Sequence, residues 1–379
     1  MKNNISQFNR CSACGACLNV CPVDAISENK HGLYYDMIVD DVKCIDCGQC
    51  KQVCPVNCPE DRQSLVAGYA GSHNDGGVVC RSSSGGAFHA IAEMILEKGG
   101  VVYGAVYSDD MHEVVFGDTD HYPLESLQKS KYVESYVGTS FRKIKEQLQS
   151  GRHVLYCGTP CQSAGLMRYL KVDYPNLLVC DFSCGGLPSH IIFEDYLGRL
   201  EKQHNSKVKM VDFRPKNFGW ENHSIYIEFE NGDCYTKLAT FDPYYRGFLH
   251  SLTKREFCYD CSFSNNHYAD IILADFWMYR EYSDLKKGNG LSLILTNSKK
   301  GENVMSLLLN NMSLVEIPLE KASYNIKEKK TSSRICAMHY EFLKSYEEDG
   351  LEIAINKYDK IKPTTYIRQQ IKQIVKRRR

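Results

Sequence analysis

The feature that most restricts this chain is a pair of cysteine runs near its start. CSACGACLNVCPV begins at Cys11, and CIDCGQCKQVCPV begins at Cys44, 33 residues later. Cys11, Cys14, Cys17 and Cys21 thus correspond to Cys44, Cys47, Cys50 and Cys54. Gly15, Val20, Pro22 and Val23 recur as Gly48, Val53, Pro55 and Val56. Nine of the 18 cysteines lie between Cys11 and Cys58. A disulfide scaffold is usually a short chain from an oxidising compartment. Here the chain has 379 residues, and its start shows no apolar stretch of the signal-peptide kind. Clustered thiols in a reducing compartment more often hold metal or run redox chemistry. The expected location is the cytoplasm.

Both runs fit the C-x2-C-x2-C-x3-C-P pattern of bacterial two-cluster ferredoxins, in which the fourth cysteine of each run ligates the other cluster. One [4Fe–4S] cluster is then expected on Cys11, Cys14, Cys17 and Cys54, and a second on Cys44, Cys47, Cys50 and Cys21. Three thiolates spaced two residues apart wrap three corners of a cubane only through a tight loop, which Gly15 and Gly48 permit. The proline after the fourth cysteine turns the chain away. Zinc knuckles also use C-x2-C pairs, but they do not call for three evenly spaced cysteines and a fourth before proline, twice. Between the runs, residues 32–40 read as strand and turn, and the module ends near Asp61. Cys58 is a spare thiol.

After Ser64 strands and helices alternate. Phe88, Ile91, Ala92, Ile95 and Leu96 fall at helical spacing over 85–98, and Gly99 and Gly100 stop that helix. Residues 101–107 read as a buried strand. Thr139 or Ser140 caps a helix to Ser150, 153–157 is a strand, a loop at Cys161 opens a helix through Leu170, and 177–182 is a further strand. This order predicts a parallel unit. It puts Cys161 and Cys184 just beyond the carboxyl ends of neighbouring strands, where open α/β sheets bind ligands. Asp275, after a strand at 271–274, reaches the same edge. Residues 224–238 read as a hairpin turning at Asn231, Gly232 and Asp233, so the core is mixed.

Cys258 and Cys261 form another C-x2-C pair. Alone it fits a redox dithiol, half a zinc site or a turn with two buried thiols. With Cys161 and Cys184 it makes four thiols, enough for a third [4Fe–4S] site, with zinc or uncoordinated thiols as the alternatives. Cys80, Cys157, Cys180, Cys234 and Cys336 have no such companions, and buried inert cysteine is the default for them.

Lys and Arg number 46 and Asp and Glu 46, so no nucleic-acid partner is expected. No apolar run is long enough for a membrane span. From residue 360 onward there are eight basic residues and no acidic one, with Ile367, Ile371, Ile374 and Val375 at helical spacing. This tail fits contact with an anionic membrane surface, docking to an acidic partner, or an ordinary solvated helix.

Five segments occur in an order that resembles the coenzyme F420 hydrogenase/dehydrogenase beta-subunit family: RSSSGGA from Arg81, SKY from Ser130, GTPCQ from Gly158, CGGLPS from Cys184, and Cys258 and Cys261 followed by ADI from Ala269 and DFW from Asp275. The resemblance spans roughly 64–280. It implies FAD together with iron–sulfur clusters, and electron movement between ferredoxin or clusters and a small organic substrate; family substrates include the deazaflavin F420 and a chlorophyll intermediate. It also implies cofactor contacts at Ser82, Ser83, Ser84, Gly85, Gly86, Lys131, Tyr132, Thr159 and Gln162. Two departures stand out. The family's Cys-His-Gly is Cys184, Gly185 and Gly186 here, which removes a histidine, and its Gly-Asp-x-Trp is Ala274, Asp275, Phe276 and Trp277.

Clusters pass one electron at a time whereas most organic reductions need two, and a flavin is the usual converter. No G-x-G-x-x-G follows a strand, so a Rossmann site is unsupported. The serine/glycine run at 82–86 is the alternative, offering N–H groups and hydroxyls to a pyrophosphate at a helix start; its ordinary reading is a flexible N-cap. Lys131 fits a phosphate or the flavin N1 region, or else a solvated surface position. Trp277 and Tyr132 stack on a ring or fill core.

The expected fold is α+β or α/β: a two-cluster ferredoxin-like module at 1–62, then a mixed-sheet flavin- and cluster-binding part in two regions, 63–145 and 146–345, and the basic tail at 346–379. Three functional readings follow. One is an oxidoreductase with its own small-molecule substrate and a ferredoxin or other redox protein as partner. A second is an electron-transfer subunit wiring a partner enzyme. The third is a zinc-stabilised binding protein. Protein purified without oxygen is expected to be brown and to carry iron and acid-labile sulfide; a colourless, zinc-containing preparation would exclude the first two.

Overall fold

The structure is a computed structural model, which describes residues 4–5, 10–60, 65–323 and 333–360. The tail beyond Lys360 lies outside the described residues, and so does the helical stripe expected there. Among the described residues no helix is long and apolar enough to cross a membrane.

The first part is small. Helices Ala16–Val20 and Gln49–Val53 flank a two-stranded antiparallel ribbon, β1 (Ile26–Asn29) and β2 (Asp36–Val39), with Ile26 opposite Val39. The rest carries β3 (Ala67–His73), β4 (Val101–Tyr107), β5 (Val114–Asp118), β6 (Val154–Cys157), β7 (Leu177–Phe182), β8 (Val208–Asp212), β9 (Ser224–Phe229), β10 (Cys234–Leu238), β11 (Ile271–Asp275), β12 (Ser292–Thr296) and β13 (Met312–Glu316).

Eight of these form one sheet in the order β13-β3-β12-β11-β7-β6-β4-β5. The four central strands β11, β7, β6 and β4 run parallel, and the outer pairings are antiparallel. This is the mixed α/β sheet that the sequence predicts. Strands buried on both faces need near-continuous apolar runs, and Val101–Tyr107 and Leu177–Phe182 supply them. Helix Pro160–Leu170 joins β6 to its parallel neighbour β7, again as expected. Helices Ala87–Glu97 and Ser140–Gln149 also lie where the sequence puts them, although Thr139 makes no side-chain cap bond.

The predicted hairpin forms, but it does not join the large sheet. β9 and β10 add to β8 in a separate three-stranded sheet. The reason is one-sided burial: β10 is largely exposed while Ile225, Ile227 and Phe229 of β9 pack under Phe193 and Tyr244. Antiparallel sheets tolerate one wet face. The expected regions 63–145 and 146–345 both contribute strands to the large sheet.

One face of that sheet packs on helix Ala87–Glu97 through Ile91, Ile95, Leu155 and Leu178. The other packs on Phe141, Ile144 and Leu166, and Cys14, Ala16 and Val53 of the N-terminal module join this same core. The module is therefore built into the body.

A buried arginine ties the two parts. Arg255 Nη1 donates to the Cys11 carbonyl (3.1 Å) and to Asp36 (2.8 Å), and Nη2 donates to the Tyr35 carbonyl (2.9 Å) and to Glu134 (3.2 Å). Glu134 also meets His190 Nδ1 at 2.7 Å, and Tyr35 stacks on that imidazole at 3.8 Å. The Arg255 and Glu134 side chains are only 4% and 1% exposed. Removing one partner of such a pair strands the other charge away from water. Arg255→Met is expected to lower unfolding stability by about 3–5 kcal/mol, read from denaturant midpoints; a change within about 0.5 kcal/mol of zero would show that this staple contributes little.

Candidate functional site: three thiol sets and a cavity

The cysteine repeat is also a repeat in backbone conformation. Ala13 (φ 53°) and Gly15 (φ 79°) in the first loop are matched by Asp46 (φ 55°) and Gly48 (φ 74°) in the second. Each loop passes twice through the left-handed region, where glycine is least strained, and each then opens a five-residue helix. Amide groups point at the sulfurs: Ala13 N lies 3.3 Å from Cys11 Sγ and Ala25 N 3.3 Å from Cys21 Sγ.

The thiols gather as the repeat predicts. Burial, then the neighbouring Cys54 and Cys11, push Cys14 up to about 12. Burial, then Cys14, Cys11 and Cys54, push Cys17 well above its ordinary value. Cys54 thus faces the first run, the crossover expected of a two-cluster module. Cys21, Cys44, Cys47 and Cys50 line a single small pocket with Pro22, Val23 and Ile45. Cys58 sits beside Cys54 at the margin of the first set.

The third set assembles from three separate elements. Cys161 is in the first turn of helix Pro160–Leu170, Cys184 follows β7, and Cys258 and Cys261 lie in and just after the 3-10 turn Glu256–Asp260. Burial raises Cys161 well above the ordinary thiol value, and Cys261, Cys184 and Cys258 raise it further. Burial, then Cys184, raises Cys258 to about 12. Leu187 N and Gly186 N each come within 3.4 Å of a sulfur, Cys258 and Cys184 respectively. Four thiols facing one another away from water are stable as thiolates only beside strong positive charge, and a bound metal deprotonates a coordinating thiol outright. Among the described residues no three His, Cys, Asp or Glu side chains close on the space of one metal ion; a four-iron cubane asks instead for one thiolate at each corner.

The first and third sets are close. A Cβ on Gly165 would lie 2.9 Å from both Cβ and Sγ of Cys14. Gly165 and Cys161 are i and i+4 on one helix, hence on one face a turn apart. Cys161 Sγ is also 3.8 Å from the Ser12 carbonyl.

The third set borders a cavity of about 460 Å³ at the carboxyl edge of the sheet, with Cys184 in its wall. Its size falls in the range of roughly 300–1,000 Å³ usual for small-molecule sites. Ser82, Ser83, Ser84, Gly86, Lys131, Tyr132, Thr159 and Gln162 all line it. Gly85, between Ser84 and Gly86, is not part of its wall. Its N–H donates to Ser292 Oγ at 2.9 Å, and a Cβ there would meet the Gly71 carbonyl at 2.4 Å. Gly85 is needed for packing. The hydroxyls are also engaged: Ser82 with the Val78 carbonyl, Ser83 with Ser130, and Ser84 with the Leu291 carbonyl.

Cations that the sequence did not single out hold this loop. Arg214 forms a two-pronged pair with Asp275 (3.0 and 3.2 Å) and donates to the Ser83 carbonyl (3.2 Å), while Lys216 donates to that of Ser84 (2.7 Å). Arg214 and Lys216 follow β8, in a stretch with no motif, so nothing in the sequence signals them. Asp275 reaches the cavity edge as expected. Lys131 is no surface lysine: burial lowers it to about 7, opposed by Asp212 and Cys157, and its ammonium donates to the Gln128 carbonyl. A bound anion would favour its charged form. Thr159 N donates to Gln162 Oε1 at 3.0 Å, which shapes the helix start beside Cys161. Trp277, 38% exposed, stacks on Trp220, and Tyr132 stacks on Phe248. Of the remaining cysteines Cys180 is buried, but Cys80 and Cys234 are exposed, which corrects the expectation that they are buried.

Thiol sets in a ferredoxin-like module, joined to a mixed sheet with a polar cavity at its carboxyl edge, define an iron–sulfur protein of the electron-transfer class. The family is specific: residues 151–322 match the C terminus of the coenzyme F420 hydrogenase/dehydrogenase beta subunit, and residues 10–58 match the 4Fe-4S dicluster domain. Over residues 151–322 the chain is of the F420 hydrogenase/dehydrogenase beta-subunit type, as its motifs predict, and over residues 10–58 it is of the two-cluster 4Fe-4S type. No curated protein matches it. Among solved structures, a chain of the F420-reducing [NiFe] hydrogenase complex from Methanosarcina barkeri is 16% identical, with 70% of this chain and 89% of that one covered and a TM-score of 0.46.

Gly165→Val would drive two methyl groups into the seat of Cys14. The expected cost is about 1–3 kcal/mol of stability, typical of overpacking, with faster iron release than wild type under mild denaturant. Unchanged iron release would show that the helix and the loop are not in the contact described.

Proposed function

We propose that the chain is an iron–sulfur flavoprotein oxidoreductase that passes electrons between three [4Fe–4S] clusters and FAD to reduce or oxidise a small organic substrate. Cys11, Cys14, Cys17 and Cys54 hold one cluster, Cys21, Cys44, Cys47 and Cys50 the second, and Cys161, Cys184, Cys258 and Cys261 the third. The observation that carries this reading is the position of Cys184, which belongs to the third thiol set and also lines the cavity. With Cys14 against the same helix as Cys161, the sites form a row from the N-terminal module to the cavity.

The cavity suits an anionic, partly aromatic cofactor. Lys129, Lys131 and Arg214 line it among apolar groups, and Phe182, Tyr132 and Trp277 supply ring surfaces. FAD, when bound, supplies the exchange between single electrons and the pair that an organic substrate needs. Lys131, balanced near neutrality by burial, takes up a proton as phosphate or another anion approaches. Arg214 and Lys216 hold the 82–86 loop from behind, so the loop is shaped before any ligand arrives.

Anaerobic preparation with quantification of iron, sulfide and flavin tests the proposal. About twelve irons and one FAD per chain are expected. Cys258→Ser should lower iron to about eight per chain and leave the N-terminal clusters; an unchanged count would remove the third site. Gly86→Val, at φ 94° with its Cβ 3.0 Å from that of His73, should lose flavin and keep the N-terminal clusters. Full flavin occupancy in that variant would refute the placement. Turnover by the isolated protein marks an enzyme, and flavin without turnover marks a subunit that wires a partner enzyme.

A further inference from the structure

Polar atoms without a protein partner gather on one side of the large sheet. Asp181 Oδ2, His267 Nε2, Tyr156 Oη and Ser163 Oγ are buried, and among the described residues none of these four atoms has a hydrogen-bond partner. Their residues are only 0–3% exposed. A buried polar atom left unpaired is costly, so each one asks for an explanation.

The four belong to one layer. Tyr156 pairs in register with Val179, and both lie in the core that the N-terminal module joins. Asp181, two residues beyond Val179, shares that face by the period of a strand. Burial, then the thiols of Cys161, Cys157 and Cys14 and the Asp181 carboxylate, raise the Tyr156 hydroxyl well above its ordinary value, so these groups are near neighbours. His267 Nδ1 meets Asp181 Oδ1 at 2.8 Å. Ser163 precedes Leu166 and Leu170 by three and seven residues on helix Pro160–Leu170, and those leucines face the same core. Water commonly satisfies buried polar groups of this kind, making about three hydrogen bonds in each such site.

The layer lies between two openings. His267 lines a cleft of about 800 Å³ whose lip carries Lys171, Val172 and Asp173, all exposed. At the other end, a Cβ on Gly158 would lie 2.6 Å from the Tyr156 hydroxyl, and Gly158 belongs to the wall of the cavity beside the third thiol set. A polar seam thus runs from the cleft to the back of that cavity.

We infer that Ser163, Asp181, His267 and Tyr156 hold ordered water and conduct protons between the cleft and the cavity. The inference rests on the proposed function, because the reaction there is what needs protons. Clusters deliver electrons alone, whereas an organic group reduced by two electrons takes up two protons as well. Each proton enters at His267 Nε2 while the proton on Nδ1 passes to Asp181, and tautomer exchange resets the ring. Water between Asp181 Oδ2 and Ser163 Oγ carries it to the Tyr156 hydroxyl, which accepts one proton and releases another. No group on the route is consumed, and oxidation of a substrate runs it in reverse.

Two measurements test this. In a crystal structure of the full chain, water density is expected within about 3 Å of Asp181 Oδ2 and Ser163 Oγ; a dry layer overturns the inference whether or not flavin is bound. In anaerobic stopped flow, reduced methyl viologen, which brings electrons but no protons, bleaches the flavin of the loaded chain. Asp181→Asn and Tyr156→Phe should slow bleaching about tenfold or more, and further in heavy water, with iron and flavin content unchanged. Imidazole at about 50 mM, a small proton carrier, should restore most of the rate. Should Asp181→Asn fail to fold, Tyr156→Phe still decides, because it removes one hydroxyl that has no protein partner. Tyr282→Phe removes another such hydroxyl, outside the layer, and should react like wild type. Wild-type rates in Tyr156→Phe, equal slowing in Tyr282→Phe, or slowing that imidazole leaves untouched would each overturn the proton route. A chain that binds no flavin overturns the proposed function instead, while the water site is judged from the crystal alone.

Discussion

The architecture depends on one close approach, where the first cysteine loop lies against helix Pro160–Leu170 and leaves no room at Gly165 for any side chain. Electron transfer between buried centres weakens steeply with separation, so a two-cluster module tethered loosely to the body would be a poor donor to it. Here Cys14 contributes to the core under β4, β6 and β7. Arg255 clamps the Cys11 and Tyr35 carbonyls from the other side while answering to the buried Glu134. Helix packing brings the loops together, and the buried ion pair fixes their orientation.

Charge follows the same plan. The thiol sets are places where burial and mutual repulsion drive thiol values up, a condition that a bound metal would relieve. The cavity has the opposite sign, with Lys129, Lys131 and Arg214 gathered in its wall. Two of these cations have a direct counterpart: Lys129 pairs with Asp212, and Arg214 with Asp275. Buried charge survives only when paired and hydrogen-bonded. Those two therefore serve as a frame, and Lys131, which burial brings down to about 7, is the one most responsive to an arriving anion.

Several elements were legible because the physics behind them is local. The strand at 101–107, the helix that Gly99 and Gly100 end, and the β6–helix–β7 unit follow from apolar runs and breakers over short spans. β3 was not legible. Its sequence AGYAGSH has the small residues that normally weaken a strand, yet Gly71 packs against Ser313 so closely that a Cβ would lie 1.9 Å from that carbonyl. Glycine there answers to a neighbour on a distant strand, and no window of sequence contains both. The misplaced hairpin has a similar origin: its strands were read correctly, but which sheet they join depends on Phe193 and Tyr244. Most of the expected cavity residues came through a family resemblance, and within that motif Gly85 is also a packing glycine, pressed against Gly71 and Ser292.

The sequence alone determined the paired cysteine runs and the left-handed loops, since spacing, thiol chemistry and glycine freedom act within a dozen residues, and the repetition of the run carried the crossover of Cys54. It also determined that cysteines would stand just past the ends of two neighbouring strands. Only the tertiary structure decided that Cys161, Cys184, Cys258 and Cys261 face one another, that Arg214 and Arg255 are buried, and that Cys47 stays at the surface. Those facts depend on contacts between segments far apart in the chain, and such contacts exist only once the sheet has closed and one face of it has become the floor for the cluster module.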